Sequence, residues 1–313
     1  MTLEFKYASG FHEGLACVQK NDSFGFIDKT GNFVIEPKFN FTGDFSEGLA
    51  VFEEHDKYGY IDKKGNIAIP PTYEYALIFS EGMAAVALGD NEYVFIDKNG
   101  NKAFDKKFVT LEAFSEGLAS VMEKNKWGYI NKDGQYEIKP RFTFAAQFKQ
   151  GFAVVKTKSL LARKEKITFI NKQGNYLIEP KFEFASDFYE GTALVKVNDK
   201  YGFISLNGDY IIEPQFEAAQ EFSENLAPAM INNKWGYIDR SGKIIIEPEY
   251  EYTYCFSNGM ASVEVNGLFG FINKAGEMVI PPQFEEVEKF SEGFAVVYKN
   301  DTYFFIDTNG NLL

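Results

Sequence analysis

Short apolar runs separated by glycine-containing turns make up the whole chain, and their order recurs along it. In the first copy, the apolar run 15–19 follows a glycine turn, and the run 24–28 alternates as a strand with two faces requires. Gly31 lies in the next turn, where a positive φ carries no steric penalty and a hairpin is indicated. A third run follows and is predicted to end at Pro37, which belongs at a sheet edge because proline cannot donate to a ladder. We predict three strands per unit, with residues 39–45 forming either a short outer strand or a loop.

The unit occurs nine times over residues 1–313. Its Phe-x-x-Gly turn recurs at steps of 34 residues, apart from one step of 35 and one of 40. The glycine of this turn, or the asparagine that replaces it, is Gly14, Gly48, Gly82, Gly117, Gly151, Gly191, Asn225, Gly259 or Gly293. Because a fixed period of this length indicates a repeat architecture, we predict a single repeat domain over 1–313, with no separate domain or linker.

The two ends of the chain read as halves of one repeat. Residues 310–313, which follow the last hairpin, continue in register into residues 1–5 when the ends are joined, with Phe5 in the place of Phe39. An open solenoid needs atypical polar caps, and neither end resembles one. We therefore predict an all-β fold, a closed β-propeller-like ring of nine repeats of about 34 residues whose last blade is completed by the N-terminus. The alternative is an open superhelix of β-hairpins.

The segments 127–130 and 235–238 both read Trp-Gly-Tyr-Ile, with a Phe-Ser-Glu turn before each and an Ile-x-Pro segment after it. With these flanks the chain resembles, over its entire length, the WG repeat of bacterial proteins, also called the KWG repeat. It departs from that pattern by Tyr or Phe for most of the tryptophans, by Val94 and Phe304 for the glycine, and by Ile-Thr at 167–168. The resemblance implies a repeat module and supplies no shared catalytic residues.

Composition agrees with a soluble β-rich protein. Aromatic residues make up 17% of the chain and hydrophobic residues 45%, which favours strands and permits a large core. The formal net charge of -13 opposes the phosphate backbone of a nucleic acid, so we expect no nucleic-acid partner, while a surface for a basic partner stays possible. No apolar run reaches membrane-spanning length, and we expect no membrane partner.

The N-terminal residues 1–7 lack the charged start, the apolar stretch and the cleavage site of a secretory signal, so we expect a cytoplasmic protein. Cys17 and Cys255 occupy different repeat positions, which favours two buried thiols in a reducing compartment over a disulfide. No metal-ligand spacing is present. The hairpin loops each supply one or two acidic oxygens, fewer than the roughly six to eight ligands that calcium takes, so we expect no metal and no cofactor.

No arrangement of catalytic side chains stands out. His12 and His55 occupy unrelated repeat positions, and no Ser-His-Asp or Cys-His arrangement can be recognised. We predict a non-catalytic protein-protein interaction scaffold, a monomer that binds a protein partner. The alternative is a carbohydrate-binding repeat module, which predicts exposed aromatic residues at the same position in several copies. The aromatic residue of the Trp-Gly pair is explained more simply by packing between blades.

An acidic residue recurs in the Phe-Ser-Glu-Gly turn. In a ring it would repeat around one rim, as a possible acidic collar for a basic peptide or for cations, although a solvated turn residue is the simpler interpretation. The residues are Glu13, Glu47, Glu81, Glu116, Glu190, Glu224 and Glu292, with Gln150 and Asn258 in the other two copies.

The fifth copy carries the one long insertion, six residues between its first two strands. Insertions in repeat proteins map to loops, often on a binding face, so this basic and partly apolar segment is a candidate contact with an acidic partner surface. An insertion that is merely tolerated is an equal alternative, because added loop length carries little entropic penalty. The candidate partner-binding residues are Lys156, Lys158, Leu160, Leu161, Arg163, Lys164 and Lys166.

Overall fold

The structure is a computed structural model that describes residues 3–89, 92–158 and 165–313. All regular elements in these ranges are β-strands, and these ranges contain no helix. In chain order the strands are β1 (Tyr7–Ala8), β2 (Leu15–Lys20), β3 (Ser23–Asp28), β4 (Phe33–Phe39), β5 (Phe41–Thr42), β6 (Leu49–Glu54), β7 (Lys57–Asp62), β8 (Ile67–Tyr73), β9 (Tyr75–Ala76), β10 (Met83–Ala87), β11 (Tyr93–Asp97), β12 (Thr110–Leu111), β13 (Ala119–Glu123), β14 (Lys126–Ile130), β15 (Tyr136–Phe142), β16 (Phe144–Ala145), β17 (Phe152–Lys158), β18 (Glu165–Asn171), β19 (Phe184–Ala185), β20 (Thr192–Val197), β21 (Lys200–Ser205), β22 (Tyr210–Phe216), β23 (Ala218–Ala219), β24 (Ala227–Ile231), β25 (Lys234–Ile238), β26 (Ile244–Tyr250), β27 (Tyr252–Thr253), β28 (Met260–Val265), β29 (Leu268–Asn273), β30 (Met278–Phe284), β31 (Glu286–Val287), β32 (Phe294–Lys299) and β33 (Thr302–Asp307).

The strands form nine antiparallel sheets, one per repeat, and the fold is a nine-bladed β-propeller. Six sheets have four strands, in the orders β1-β2-β3-β4, β5-β6-β7-β8, β12-β13-β14-β15, β19-β20-β21-β22, β23-β24-β25-β26 and β27-β28-β29-β30. Three sheets have three strands: β9-β10-β11, β16-β17-β18 and β31-β32-β33. The predicted fold class is confirmed.

The segment predicted as a short outer strand or a loop is a two-residue strand at the edge opposite the proline-containing strand. In the first repeat, Tyr7 pairs with Gln19 and Ala8 with Val18. Because successive side chains in a strand point to opposite faces, this strand buries Ala8 and exposes Tyr7. Of the two alternatives predicted for this segment, the short strand is therefore the one that forms.

The prediction that Pro37 ends the third run was wrong, because β4 continues through it to Phe39. Pairing shifts register between Phe24–Phe39 and Phe26–Ile35, so the extra residues of β4 form a bulge that contains the proline. The predicted edge position is confirmed, since β4 is the last strand of its sheet. At an edge, the missing N–H of proline removes no hydrogen bond to a further strand.

The bulge explains the glycine of the Trp-Gly pair. A Cβ atom on Gly128 would lie 2.5 Å from the carbonyl oxygen of Ile138 and 2.6 Å from the nitrogen of Pro140. The absence of a side chain therefore lets the bulged outer strand approach the middle of the sheet. A Cβ would meet backbone atoms at no more than 2.6 Å at the equivalent glycines also, which are Gly25, Gly59, Gly202, Gly236 and Gly270.

The three repeats that lack this glycine are the three with three-stranded sheets. Val94, Thr168 and Phe304 occupy the position in β11, β18 and β33. In the third repeat, the outer segment pairs with β11 only through isolated bridges, such as Tyr93–Phe108. In the fifth repeat, the Thr168 hydroxyl donates to the carbonyl oxygen of Ile178, the oxygen that the glycine otherwise accommodates. A side chain at this position thus displaces the proline-containing edge strand, while the other three strands of the sheet still pair.

The chain forms two compact units. The first consists of Met1–Asp44, Lys200–Gly202 and Ile211–Leu313, and the second of Phe45–Asp199 and Phe203–Tyr210.

In the first unit, residues from both ends of the chain complete the last blade. Phe5 and Tyr303 exchange two backbone hydrogen bonds of 3.2 and 3.0 Å, and the N–H of Leu313 donates to the carbonyl oxygen of Phe305 at 3.0 Å. Phe5 is 3% exposed and packs in one apolar cluster with Phe305 and Phe33. The predicted completion of the last blade by the N-terminal residues is therefore confirmed.

In the second unit, the fourth repeat shows how neighbouring repeats pack. Trp127 and Tyr129 are buried in one apolar cluster with Phe148 and Val155 of the following repeat. The Tyr129 hydroxyl donates to the carbonyl oxygen of Ala146 at 2.7 Å, which satisfies its polar end inside the core. The tryptophan of the Trp-Gly pair is thus a packing residue, as expected.

Candidate functional site

At one end of the blades, each Phe-Ser-Glu-Gly turn is bound to the turn of the next repeat. The serine hydroxyl donates to the carbonyl oxygen of the next turn's phenylalanine at 2.6–2.7 Å. These pairs are Ser46–Phe79, Ser80–Phe114 and Ser115–Phe148 in the second unit, and Ser223–Phe256, Ser257–Phe290 and Ser291–Phe11 in the first. We call the serine, acidic residue and glycine of these turns the turn clamp.

The carboxylate of the turn clamp also binds the next repeat. It accepts the backbone N–H of the next turn glycine and pairs with a lysine from the hairpin loop of that repeat. The triads are Glu47–Gly82–Lys98, Glu81–Gly117–Lys132 and Glu116–Gly151–Lys172 in the second unit, and Glu224–Gly259–Lys274 and Glu292–Gly14–Lys29 in the first. Gln150 and Asn258 accept the N–H of Gly191 and Gly293 in the same way, through amide oxygens.

The residue that carries this side chain has a positive φ in every repeat, between 47° and 54°. A non-glycine residue in that region is strained, and strain of this kind persists where surrounding contacts hold it. In the five triads, the glutamate is therefore a structural link between repeats and differs from the solvated turn residue that was expected. Glu13 and Glu190 share the turn conformation, with φ of 52° and 47°. The acidic collar for a basic peptide stays a prediction.

Acid should weaken the turn clamp. The pKa of Glu292 lies below its ordinary value of 4.5, chiefly because Lys29 donates to it. The charge of Lys29 and the N–H of Gly14 lower the pKa further, while partial burial opposes the shift. A folded-state pKa below the unfolded value means stabilisation that is complete above about pH 4.5 and lost as the pH falls through the folded pKa. We expect Glu292→Gln to reduce the loss of unfolding free energy between pH 6 and pH 3, measured by urea denaturation. Exposed Glu247→Gln is the control, and an equally altered pH profile there would contradict this account.

The hairpin loops are closed by their own first residue. Asp28 accepts the backbone N–H groups of Thr30 and Asn32 at 2.8 and 3.1 Å. Its pKa is lowered, first by the hydroxyl of Thr30 and then by these N–H groups.

The described residues contain no group of three or more His, Cys, Asp or Glu side chains arranged to hold a metal ion. No helix in the described ranges is long and apolar enough to cross a membrane.

The opposite end of the blades carries exposed aromatic rings at one repeat position. The first residue of the two-residue strand is aromatic in six repeats. Tyr252 is half-buried, and the other five side chains are 40–46% exposed. We call these residues the aromatic row: Tyr7, Phe41, Tyr75, Phe144 and Phe184. In the first unit, the ring of Tyr7 lies 5.7 Å from that of Phe24, which lies 6.3 Å from that of Phe41. Sequence reasoning missed this row, although its signal was the alternation of aromatic and small residues in pairs such as Tyr7–Ala8.

In the fifth repeat, the insertion lies next to the aromatic row. Lys156 is the cross-strand partner of Phe144, and β17 and β18 extend their pairing through Thr157–Lys166 and Lys158–Glu165. Lys156, Lys158 and Lys166 form no salt bridge with another described residue. The remaining predicted partner-binding residues, Leu160, Leu161, Arg163 and Lys164, lie outside the described residues.

Neither cysteine is arranged as a nucleophile. Cys17 and Cys255 are not joined in a disulfide, and burial raises the pKa of each thiol to about 12. The Ser9 hydroxyl donates to Asp44 at 2.6 Å, and His12 lies 3.5 Å from the same carboxylate. Serine and histidine therefore both contact the aspartate here and do not form a nucleophile–base pair.

The nine similar blades and their turn clamps define a repeat protein of the β-propeller class. The chain belongs to the WG containing repeat family, whose model matches residues 2–23, 24–58, 58–91, 95–127, 127–160, 167–201, 201–235, 235–269 and 269–303. The resemblance seen in the sequence is thus confirmed.

Solved structures with a similar backbone have little sequence in common with this chain. One described as a eukaryotic initiation factor has a TM-score of 0.68 at 10% identity, covering 96% of this chain and 95% of that one. BamB from Moraxella catarrhalis has a TM-score of 0.45 at 7% identity, covering 97% and 99%. No curated protein sequence matches the chain. At these identities the likeness concerns the fold alone.

Proposed function

We propose that this protein is a non-catalytic scaffold that binds a partner protein through the aromatic-row residues of its second unit, which are Tyr75, Phe144 and Phe184. The supporting observation is the row itself, five aromatic side chains at one repeat position that keep 40–46% of their surface exposed. Aromatic residues are enriched at protein interfaces, and they supply large contact area with little loss of side-chain entropy. The two unpaired thiols support a reducing, cytoplasmic location.

The polar surroundings of the aromatic row favour a protein partner over a repeating glycan. The cross-strand partner is Gln19 for Tyr7, Ala87 for Tyr75, and a lysine for both Phe144 and Phe184. A glycan of identical units would need the same hydrogen-bonding group beside each ring. A protein surface, in contrast, presents different side chains along its length, as this row requires.

The fifth repeat supplies the charge that would orient such a partner. Lys156 and Lys158 lie on the face of the hairpin that carries Phe144, and Lys166, the partner of Thr157, lies on the other face. We call these three lysines the basic stem of a chain whose net charge is -13. Charged groups at the rim of an apolar contact raise the association rate and select the partner. We propose that this stem and Phe144 contact an acidic surface of the partner.

Affinity capture from a lysate of the source organism tests the proposal. We expect the intact chain to retain a protein that Lys156→Glu/Lys158→Glu/Lys166→Glu and Phe144→Ser both lose, with binding of the purified pair weakened at least about tenfold. The control Lys64→Glu/Lys102→Glu/Lys139→Glu makes the same charge change at exposed positions of the same unit and should retain it. Loss of the protein with the control variant would show general charge attraction and contradict the proposal.

Carbohydrate binding is the second candidate, because it too predicts exposed aromatic residues at matched positions. A glycan array probed with the intact chain distinguishes the two. Binding of a glycan that Tyr7→Ala and Tyr75→Ala each weaken, without capture of a protein, would replace the scaffold by a carbohydrate-binding module.

A further inference from the structure

A second surface with the opposite charge lies in the first unit, where the first and last repeats meet. The ring of Tyr7 lies 6.2 Å from that of Tyr303, which lies 4.7 Å from that of Tyr298. Glu286 is the cross-strand partner of Tyr298, and Glu288 follows it two residues along the chain. We call Tyr7, Tyr303, Glu286 and Glu288 the seam surface.

The carboxylates of the seam surface differ from those of the turn clamp in their contacts with cations. The turn-clamp glutamates of the same unit bind lysines, as Glu292 binds Lys29 at 2.8 Å. Glu286 and Glu288, by comparison, form no salt bridge with any residue that the structure describes, and both side chains are exposed. The pKa of Glu288 is raised, first by its partial removal from water and then by the negative charge of Asp44. The N–H of Gly10 and the charges of His12 and Lys289 partly offset this rise, but neither carboxylate forms a salt bridge with a described residue.

The exposed ring of Tyr7 and the half-buried ring of Tyr303, next to carboxylates that form no salt bridge with a described residue, match one ligand chemistry. An ammonium or guanidinium group is attracted to the face of an aromatic ring and to a carboxylate at once. The chain itself uses the first of these contacts, since Lys106 Nζ lies 3.5 Å from the centroid of the Tyr136 ring and Lys38 Nζ lies 5.0 Å from that of Phe39. An acidic or purely apolar ligand would leave the carboxylates unpaired and desolvated.

We propose that the seam surface docks a basic peptide segment of a partner protein, with lysine or arginine side chains over Tyr7 and Tyr303 and paired with Glu286 and Glu288. This assignment rests on charge complementarity between Glu286 and Glu288 and a basic segment. The fifth-repeat stem is basic and would repel such a segment. The proposal goes beyond the scaffold function described above. It shares Tyr7 with the aromatic row but adds Tyr303, Glu286 and Glu288, and it assigns a partner segment of opposite charge. The outcome of its test does not depend on whether the fifth-repeat variants lose their partner.

Fluorescence anisotropy with defined peptides tests the proposal on the full chain. The probe is a labelled peptide of alternating lysine and glycine, compared with one of alternating glutamate and glycine, at about 0.15 M salt. We expect saturable binding of the lysine peptide alone. Glu286→Gln/Glu288→Gln and, separately, Tyr7→Leu should each weaken it by at least about tenfold. Glu213→Gln/Glu247→Gln removes the same charge from exposed outer-strand positions of the same unit and should leave the affinity within about twofold.

Three results would overturn the proposal. The first is absence of lysine-peptide binding by the intact chain, and the second is equal weakening by the two double variants, which would indicate attraction by net charge alone. The third is a dimer in sedimentation that Glu286→Gln/Glu288→Gln dissociates, since the occupant would then be a second copy of this chain. Thermal unfolding of each variant separates a binding effect from misfolding, and these exposed substitutions should leave the midpoint within a few degrees.

Discussion

Gly128→Ala is expected to lower the free energy of unfolding by roughly 2–3 kcal/mol and to detach the outer strand of the fourth blade. The added methyl group would lie 2.5 Å from the carbonyl oxygen of Ile138 and 2.6 Å from the nitrogen of Pro140, and a backbone cannot yield as a flexible side chain can. Hydrogen exchange should therefore show lost protection over residues 136–142, while β13 and β14 remain protected. The third repeat, with Val94 at the equivalent position, shows that such a blade keeps its inner strands.

Gly117→Ala in the same repeat is the matched control. No atom lies within 4 Å of a Cβ at Gly117, but its φ is +86°, so alanine there is disfavoured only by its backbone conformation, by about 1–2 kcal/mol. Protection of residues 136–142 should survive this substitution. Loss of that protection with Gly117→Ala, or its persistence with Gly128→Ala, would contradict the role assigned to the Trp-Gly glycine.

Phe5→Ala is expected to lower the free energy of unfolding by roughly 3–4 kcal/mol, since it empties a buried aromatic site. Phe5 is 3% exposed and lies at edge-to-face angles of 78° and 86° to Phe305 and Phe33. The N-terminal segment is held to the last blade by this packing and by the Phe5–Tyr303 backbone pair. The amides of Tyr303 and Leu313 should therefore exchange at least about tenfold faster than in the intact protein.

Phe182→Ala removes the same kind of side chain from the second unit, where it is buried in a cluster formed by the fifth and sixth repeats. It should destabilise the fold to a similar extent, but it should leave the amides of Tyr303 and Leu313 protected because the seam is intact. Urea denaturation and hydrogen exchange on both variants make the comparison. Equal deprotection of those two amides by both substitutions would show that the terminal segments are not held locally.

The sequence predicted those features that depend on contacts within one repeat or on register along the chain. The hairpin glycines, such as Gly31 with φ of +81°, could be recognised because the turn requires that conformation. Completion of the last blade followed from the register of Leu313 with Met1. The bulge was missed because a proline normally interrupts a ladder, and only the approach of Ile35 to Gly25 shows why it is tolerated at this edge.

The turn clamp was missed for a different reason. Ser291 and Glu292 bind the turn of the first repeat, and this contact depends on how two sheets stack, which periodicity alone does not specify. The recurrence of Ser and Glu at fixed positions was a usable signal, but a charged turn residue is usually solvated. The exposure of the aromatic row could not be predicted for a similar reason. Tyr7 and Trp127 are both aromatic residues at the end of a strand, and only packing decides that one is exposed and the other buried.

The separation of the turn clamp from the β17–β18 turn has a consequence for how this fold can acquire new specificity. The insertion of the fifth repeat lengthens the hairpin at the end of the blade that makes no clamp contact, and the stem simply adds further antiparallel pairs. The same hairpin in the other repeats is joined by two to five residues. Foreign segments grafted at these hairpins would leave the links between blades untouched, so the scaffold could display different peptides from several blades on one stable frame.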